Sequence, residues 1–149
     1  MNGFLIDTNV LSEYSRLEGP DVRVRAWLET APRELQYVSV LNLAEIQKGI
    51  ELLDKGKQRR ELQNWLATEL EDWFSGHILP VDRRVADCWA QIAAGGIKIG
   101  RPLPAIDSLI AATAMAHSLT IATRNIRDFQ AAGVKVINPW MHEPSSSQP

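Results

Sequence analysis

Short apolar runs alternate with longer helical patterns along this chain. The first run, Phe4 to Ile6, stops abruptly at Asp7, as expected for a short buried strand. Similar short runs predict four further strands, at 37–41, 77–81, 119–123 and 134–137. Because helical patterns separate the strands, the chain is predicted to adopt an α/β fold. This fold has three layers, with a mostly parallel central sheet and helices on both faces.

The helical patterns between these strands have recognisable boundaries. One begins after Asn42, and a second apolar stripe over 62–74 is expected to pack against it as a helical hairpin. Asp82 is placed to open a third helix, which the glycines at 95, 96 and 100 are expected to break. A fourth helix begins at Pro104 and is apolar on nearly every side, so we expect it to be buried.

Composition limits the possible classes of protein. A length of 149 residues with 45% hydrophobic content suits a single domain, predicted to span residues 1–141 and to be followed by a disordered tail at 142–149. A net charge of −2 argues against a broad basic surface for nucleic acid. Cys88 is the only cysteine, which excludes an internal disulfide. With no leader or membrane-spanning pattern, the expected location is the cytoplasm.

Two acidic residues lie where the first two predicted strands give way to helices. Asp7 ends the first strand, where α/β sheets present functional groups, although it could simply cap the following helix. Glu45 lies in the apolar stretch LNLAEI, where a carboxylate is costly unless it is paired or binds a metal. The spacing of Asn42 and Glu45 also fits a capping box, so both interpretations stay open.

Further polar residues occur at equivalent places later in the chain. Asp107 lies in the first turn of the apolar helix, where the helix dipole alone would favour it. Asn125 and Asp128 follow the penultimate strand, where ordinary turn chemistry could also explain them. All these positions fall at one predicted edge of the sheet. Close carboxylates repel each other, so several ionised acids there imply a compensating cation, and oxygen ligands favour Mg²⁺ or Mn²⁺.

At these residues the sequence resembles the PIN-domain ribonuclease toxins of VapC and FitB type. The resemblance is carried by LIDTNVLSE (5–13), LAEIQKGIELL (43–53), AIDSLIAATAMAHSLTIATRN (105–125) and NPW (138–140). These short stretches are individually of moderate specificity, but their order and spacing cover nearly the whole chain.

The resemblance implies a set of site residues. Asp7, Glu45 and Asp107 would be metal ligands and catalytic residues, and Asn125 would take a fourth catalytic position. Many relatives have aspartate at that fourth position, so a second metal would bind more weakly here unless Asp128 supplies the charge. The resemblance and the local sequence together nominate supporting residues that fix the carboxylates by hydrogen bonds or complete the pocket: Thr8, Asn9, Asn42, Thr123 and Asp128.

The resemblance further implies what the protein does and what it binds. The reaction would be hydrolysis of an RNA phosphodiester by a metal-activated water, with Mg²⁺ or Mn²⁺ as cofactor. The expected partners are the RNA substrate, a cognate antitoxin that blocks the site, and a second copy in a homodimer, with no membrane. The basic residues considered as RNA phosphate contacts are Arg16, Lys48 and Arg124.

Two rival functions are kept open. An aspartate-dependent phosphatase would also place an aspartate after the first strand, but it needs a second acid two residues later, where this chain has Asn9. A non-catalytic PIN-like module that binds RNA or protein gains some support from Asn125, which carries no negative charge. Hydrolysis tests with a phosphomonoester and with RNA would separate these functions.

Overall fold

The computed structural model describes residues 3–144 and contains a five-stranded sheet. Its spatial order is β3-β2-β1-β4-β5, and every neighbouring pair is parallel. The strands are β1 (Phe4–Ile6), β2 (Gln36–Ser39), β3 (Ile78–Leu79), β4 (Thr120–Ala122) and β5 (Val136–Ile137). The predicted α/β fold is therefore confirmed. Because β1 is the central strand, residues that follow it lie in the middle of the edge where the carboxyl ends of the strands meet.

Eight α-helical segments surround the sheet in the part of the chain that the structure describes. They are α1 (Thr8–Leu11), α2 (Val22–Thr30), α3 (Val40–Glu51), α4 (Lys57–Trp65), α5 (Glu71–Trp73), α6 (Arg83–Lys98), α7 (Ala105–His117) and α8 (Ile126–Ala131). A π-helical turn, Leu66–Leu70, joins α4 to α5 into one long irregular helix. Glutamines 47 and 63 hydrogen-bond reciprocally between α3 and α4, which confirms the predicted helical hairpin.

The sheet separates two hydrophobic clusters, as side chains alternate along each strand. Leu5 and Ile121 face one side, where they pack with buried side chains of α6, α7 and α8. Ile6 and Ala122 face the other side, with buried side chains of α1, α2, α3 and the π-helical turn. Both clusters contain a fully buried phenylalanine, at 74 and 129. This arrangement makes the three layers and holds the end of β1 rigidly between them.

The structure corrects three details of the predicted elements. The second strand stops at Ser39 instead of reaching Leu41, because α3 already begins at Val40. The third long helix, α6, continues through the glycines at 95 and 96 to Lys98. An additional helix, α2, is capped by the side chain of Asp21, which accepts a hydrogen bond from the Arg23 N–H at 2.8 Å.

Gly96 within α6 has a steric role. A Cβ atom on Gly96 would lie 3.1 Å from both the Arg101 carbonyl oxygen and the Pro102 Cα. The glycine at this position therefore lets the loop between α6 and α7 pack directly on the helix. Its role is close approach of backbones and not helix termination.

The chain ends are described only in part. Over residues 3–144, none of the helices combines the length and the apolar character needed to cross a bilayer. The predicted tail at 142–149 lies largely outside the described residues, which end at Pro144. The division into a domain at 1–141 and a tail stays a prediction.

Candidate active site

Asp7 is the centre of the candidate site because of its position between β1 and α1. Its backbone N–H donates to the Ala122 carbonyl at 3.0 Å, which extends the pairing of β1 with β4 by one residue. One carboxylate oxygen accepts a hydrogen bond from the Thr8 N–H at 2.8 Å and so caps α1. Only 6% of Asp7 is exposed. The capping role considered from the sequence is thus real, but a cap alone does not require burial of the carboxylate.

Neutral donors surround the Asp7 carboxylate. The hydroxyl of Thr123, which follows β4, donates to the second oxygen at 2.7 Å, and the Asn42 side-chain amide donates to the first at 3.4 Å. Within residues 3–144 no basic side chain forms an ion pair with Asp7. Hydrogen bonds alone therefore hold the carboxylate in place.

The electrostatic environment makes the charged form of Asp7 unfavourable. Burial is the largest cause, and the nearby acids Glu45 and Asp107 add to it, while the hydrogen bonds from Thr123 and Thr8 oppose it. The net effect raises the pKa of Asp7 to about 6. Asp7 is thus a buried acid with a raised pKa and no cationic partner among the described residues. A bound cation would stabilise its charged form.

Glu45 is connected to Asp7 through two polar side chains. The Thr8 hydroxyl donates to a Glu45 carboxylate oxygen at 2.6 Å and accepts from the Asn42 amide at 3.1 Å. The same Asn42 amide group donates to Asp7, as described above. One buried asparagine on α3 thus links the end of β1 to the orientation of Glu45.

The capping box of α3 differs from the one considered from the sequence. Ser39 is the N-cap residue, and its hydroxyl accepts from the Leu41 N–H at 3.0 Å. The Asn42 side-chain oxygen accepts from the Ser39 N–H at 2.8 Å. Pairing of Asn42 with Glu45 as a capping box was therefore wrong, because the helix starts three residues earlier. Glu45 therefore takes no part in the cap of α3, and it lies half-buried beside Thr8.

Asp107 lies in the first turn of α7, as predicted, and is half-buried. Burial raises the pKa of Asp107, and the negative charges of Glu45 and Asp128 raise it further. Since Asp7 is also affected by Glu45 and Asp107, the fold brings these carboxylates within electrostatic reach of one another. Asp7, Glu45 and Asp107, separated in sequence by 38 and 62 positions, thus share one region of negative potential.

These acids do not form a closed metal cage. Over residues 3–144, no three His, Cys, Asp or Glu side chains lie close enough together to enclose an ion. Mg²⁺ does not require such a cage, because it keeps several waters and binds through one or two carboxylates together with substrate phosphate. The oxygen-only donors and the raised pKa values of Asp7 and Asp107 fit a hard, hydrated cation of this kind.

The fourth predicted position differs from the other three. The Thr123 hydroxyl accepts from the Asn125 backbone N–H at 2.9 Å and from the Asn9 side-chain amide at 3.3 Å. Asn125 therefore contributes its backbone to the site, and its side chain has no hydrogen bond within the described residues. Asp128, on α8, is the residue that adds charge near Asp107.

The three basic residues considered as RNA contacts have different surroundings. Arg16 forms ion pairs with Glu13 at 2.8 Å and Glu18 at 3.5 Å, which compensate its charge. The Arg124 guanidinium stacks 4.1 Å above the Trp140 ring. Lys48 is exposed one turn after Glu45 on α3, so it is the one of the three that shares a helix with a candidate catalytic acid.

Comparison with known proteins identifies the family to which this site belongs. Residues 4–135 match the PIN domain family model, so the chain belongs to the PIN domain family. Within it, the chain is 44% identical to Toxin FitB of Neisseria gonorrhoeae over 136 residues, covering 91% of this chain and 97% of the relative. It is 40% identical to VapC ribonuclease Y4jK of Sinorhizobium fredii over 140 residues, covering 91% and 96%.

The structural comparison agrees with the sequence comparison. The crystal structure of FitAcB from Neisseria gonorrhoeae superposes with a TM-score of 0.86 at 43% sequence identity, covering 93% of this chain and 99% of that one. The predicted family and its three-layer fold are both confirmed. The assignment of roles to individual site residues stays a prediction.

Proposed function

We propose that this chain is a metal-dependent endoribonuclease that acts as the toxin of a toxin–antitoxin pair. The observation that carries the proposal is the buried Asp7 carboxylate, which lies near Glu45 and Asp107 and has no basic partner among the described residues. The names of two relatives, Toxin FitB and VapC ribonuclease Y4jK, support both parts of the proposal.

We assign the metal to the acidic region at the end of β1. One or two of the carboxylates of Asp7, Asp107 and Glu45 would bind a hydrated Mg²⁺ or Mn²⁺ directly, and the remaining one would act through its waters. Asp128 would supply the charge that Asn125 lacks. Such an ion, when bound, lowers the pKa of a water and stabilises negative charge on the phosphodiester.

The side chains of the protein position the reacting groups. Thr123, Asn42 and the Thr8 N–H fix both oxygens of Asp7. Asn9 supports Thr123 through its amide, at 3.3 Å. The Thr8 hydroxyl directs one oxygen of Glu45, which leaves the other able to bind the ion or to orient the attacking water and accept its proton. Among Arg16, Lys48 and Arg124, Lys48 is the exposed base on the same helix as Glu45, so it is the one of these three proposed to contact RNA phosphate.

Purified protein should cleave single-stranded RNA only when Mg²⁺ or Mn²⁺ is added. Gel analysis of a 5′-labelled RNA, with EDTA as the control, measures this directly. Hydrolysis of p-nitrophenyl phosphate in the same buffers tests the phosphatase alternative. Asn9 disfavours this alternative because it stands where a phosphatase needs a second acid, and its amide donates to Thr123 instead. RNA binding without cleavage under any of these conditions would favour the non-catalytic module and contradict the proposal.

The cytoplasm follows as the location, because the proposed RNA substrate is found there.

The proposed assembly is a homodimer that an antitoxin inhibits. A homodimer is the assembly that the resemblance to the PIN-domain toxins implies. Sedimentation of the chain alone should give twice its monomer mass. Addition of the antitoxin should give a heavier complex without RNA cleavage. A monomer at micromolar concentration would contradict the dimer.

A further inference from the structure

A small depression lies beside the candidate active site. It has a volume of about 270 Å³ and is lined by the loop residues Gly100 to Pro104 and by Asp128 and Ala131 of α8. Its volume is just below the range of roughly 300–1,000 Å³ typical of small-molecule pockets, so it suits one nucleotide unit and not a duplex.

The depression and the acidic region share a wall. Pro104 lines the depression and is the N-cap residue of α7, and Asp107 lies in the first turn of the same helix. Asp128 also lines the depression, and its charge acts on Asp107. The depression is therefore the neighbouring space that an RNA chain bound at the acids could enter.

Arg101 is the positive group in this lining. It is exposed, and within residues 3–144 its guanidinium has no carboxylate partner and no hydrogen bond. Four other arginines of the described chain, unlike Arg101, form ion pairs with acids, namely Arg16, Arg25, Arg59 and Arg83. The charge of Arg101 is therefore available to a ligand.

The backbone of Arg101 is fixed, although its side chain is free. Its N–H donates to the Gly96 carbonyl at 2.8 Å, and its carbonyl lies against Gly96, where a Cβ atom would be only 3.1 Å away. Pro102 and Pro104 restrict the remaining loop dihedrals. A loop held in this way fixes the point on the rim of the depression from which the Arg101 side chain extends.

The chemistry of the site requires such a group. The acids Asp7, Glu45, Asp107 and Asp128 repel a polyanion, and the net charge of −2 provides no general attraction for RNA. Guanidinium groups bind phosphate through charge-assisted and often bidentate hydrogen bonds. We propose that the depression binds the nucleotide adjacent to the scissile phosphate of single-stranded RNA, with Arg101 contacting the phosphate of that nucleotide. This inference rests on the proposed ribonuclease function.

Arg101→Gln should weaken RNA binding without impairing the chemical step. Steady-state cleavage should show KM raised about tenfold, as expected for loss of one charge-assisted contact, with kcat within about twofold of the original protein. Binding of a fluorescent RNA to Asp7→Asn protein with and without the Arg101 change, across a salt series, gives a readout independent of cleavage. Loss of one phosphate contact should make the slope of log K against log salt less negative by about 0.7.

Arg60→Gln is the matched control, because Arg60 is an exposed arginine without an ion pair in the described chain and lies on α4, against the other hydrophobic cluster. It should leave KM and the salt slope unchanged. If Arg101→Gln behaves like Arg60→Gln in a protein that cleaves RNA, the inference is overturned and the ribonuclease function stands. A change in self-association without a change in RNA binding would assign Arg101 to a protein interface and overturn it too. Absence of any RNA cleavage by the unmodified protein would overturn the function and the inference together.

Discussion

Asp7→Asn is expected to lower the rate of RNA cleavage by more than about 100-fold while the chain stays folded. Removal of residues that merely support metal ligands typically costs 10- to 100-fold in metal affinity or activity, so loss of a direct ligand should cost more. Asparagine keeps the acceptor for the Thr8 N–H, which caps α1. Single-turnover cleavage with saturating Mn²⁺ measures the effect, and circular dichroism checks the fold. Cleavage within tenfold of the original rate would contradict the assignment of Asp7 as a metal ligand.

The same substitution should increase the stability of the metal-free protein above pH 6. The pKa of Asp7 is about 6 in the folded state against the ordinary aspartate value of 3.8, so the folded state binds more protons between these values. The stabilisation from protonated Asp7 is fully present below pH 3.8 and is lost as the pH rises through 6. The loss approaches about 3 kcal/mol, since one pKa unit corresponds to about 1.4 kcal/mol.

Urea unfolding in EDTA at several pH values tests this linkage. The difference in unfolding free energy between Asp7→Asn and the original protein should grow from pH 4 to pH 7 and then level off. Loss of the favourable hydrogen bond from Thr123 will reduce the plateau below the full value. Parallel pH profiles of the two proteins would show that Asp7 is not perturbed in this way.

Asn42→Ala is expected to have the second largest effect, on both stability and metal binding. Asn42 is fully buried, caps α3 through its oxygen and donates its amide hydrogens to Asp7 and Thr8. Loss of the cap and of two buried partners should cost about 2–4 kcal/mol in unfolding free energy. Because the positions of Asp7 and Glu45 depend on this amide, affinity for Mn²⁺ should fall about 10- to 100-fold. Urea unfolding and calorimetric Mn²⁺ titration measure the two quantities.

Thr8→Val is the matched variant for this experiment. It removes the hydroxyl between Asn42 and Glu45 but leaves the Ser39–Asn42 capping box intact. It should reduce Mn²⁺ affinity while costing less stability than Asn42→Ala. If Asn42→Ala bound Mn²⁺ as tightly as the original protein, Asn42 would have only a capping role.

Local sequence was sufficient to predict where the candidate acids lie relative to strands and helices. Asp7 follows an apolar run and Asp107 falls in the first turn of an apolar helix, and both positions agree with the structure. The signal is local, because alternation and helical periodicity depend on neighbours a few residues away. The misplaced start of α3 in the sequence-based prediction also has a local cause. Ser39 and Asn42 cap α3 without the usual glutamate or glutamine, so the local pattern also fitted the pair Asn42 and Glu45.

Contacts between distant residues were decided only by the tertiary structure. The Thr123 hydroxyl reaches Asp7 across 116 positions and the Asn42 amide reaches it across 35, and no periodic pattern encodes either contact. The close approach of Arg101 to Gly96 is likewise a property of two packed backbones. Without this contact, the glycines at 95 and 96 resembled a helix break in the sequence, although α6 continues through them. The sequence by itself determined the order of the five strands, most of the helices between them and the acids at their ends, since these depend on short-range periodicity. Folding determined the burial of Asp7 and its hydrogen-bond partners, because both depend on packing the sheet between two layers of helices.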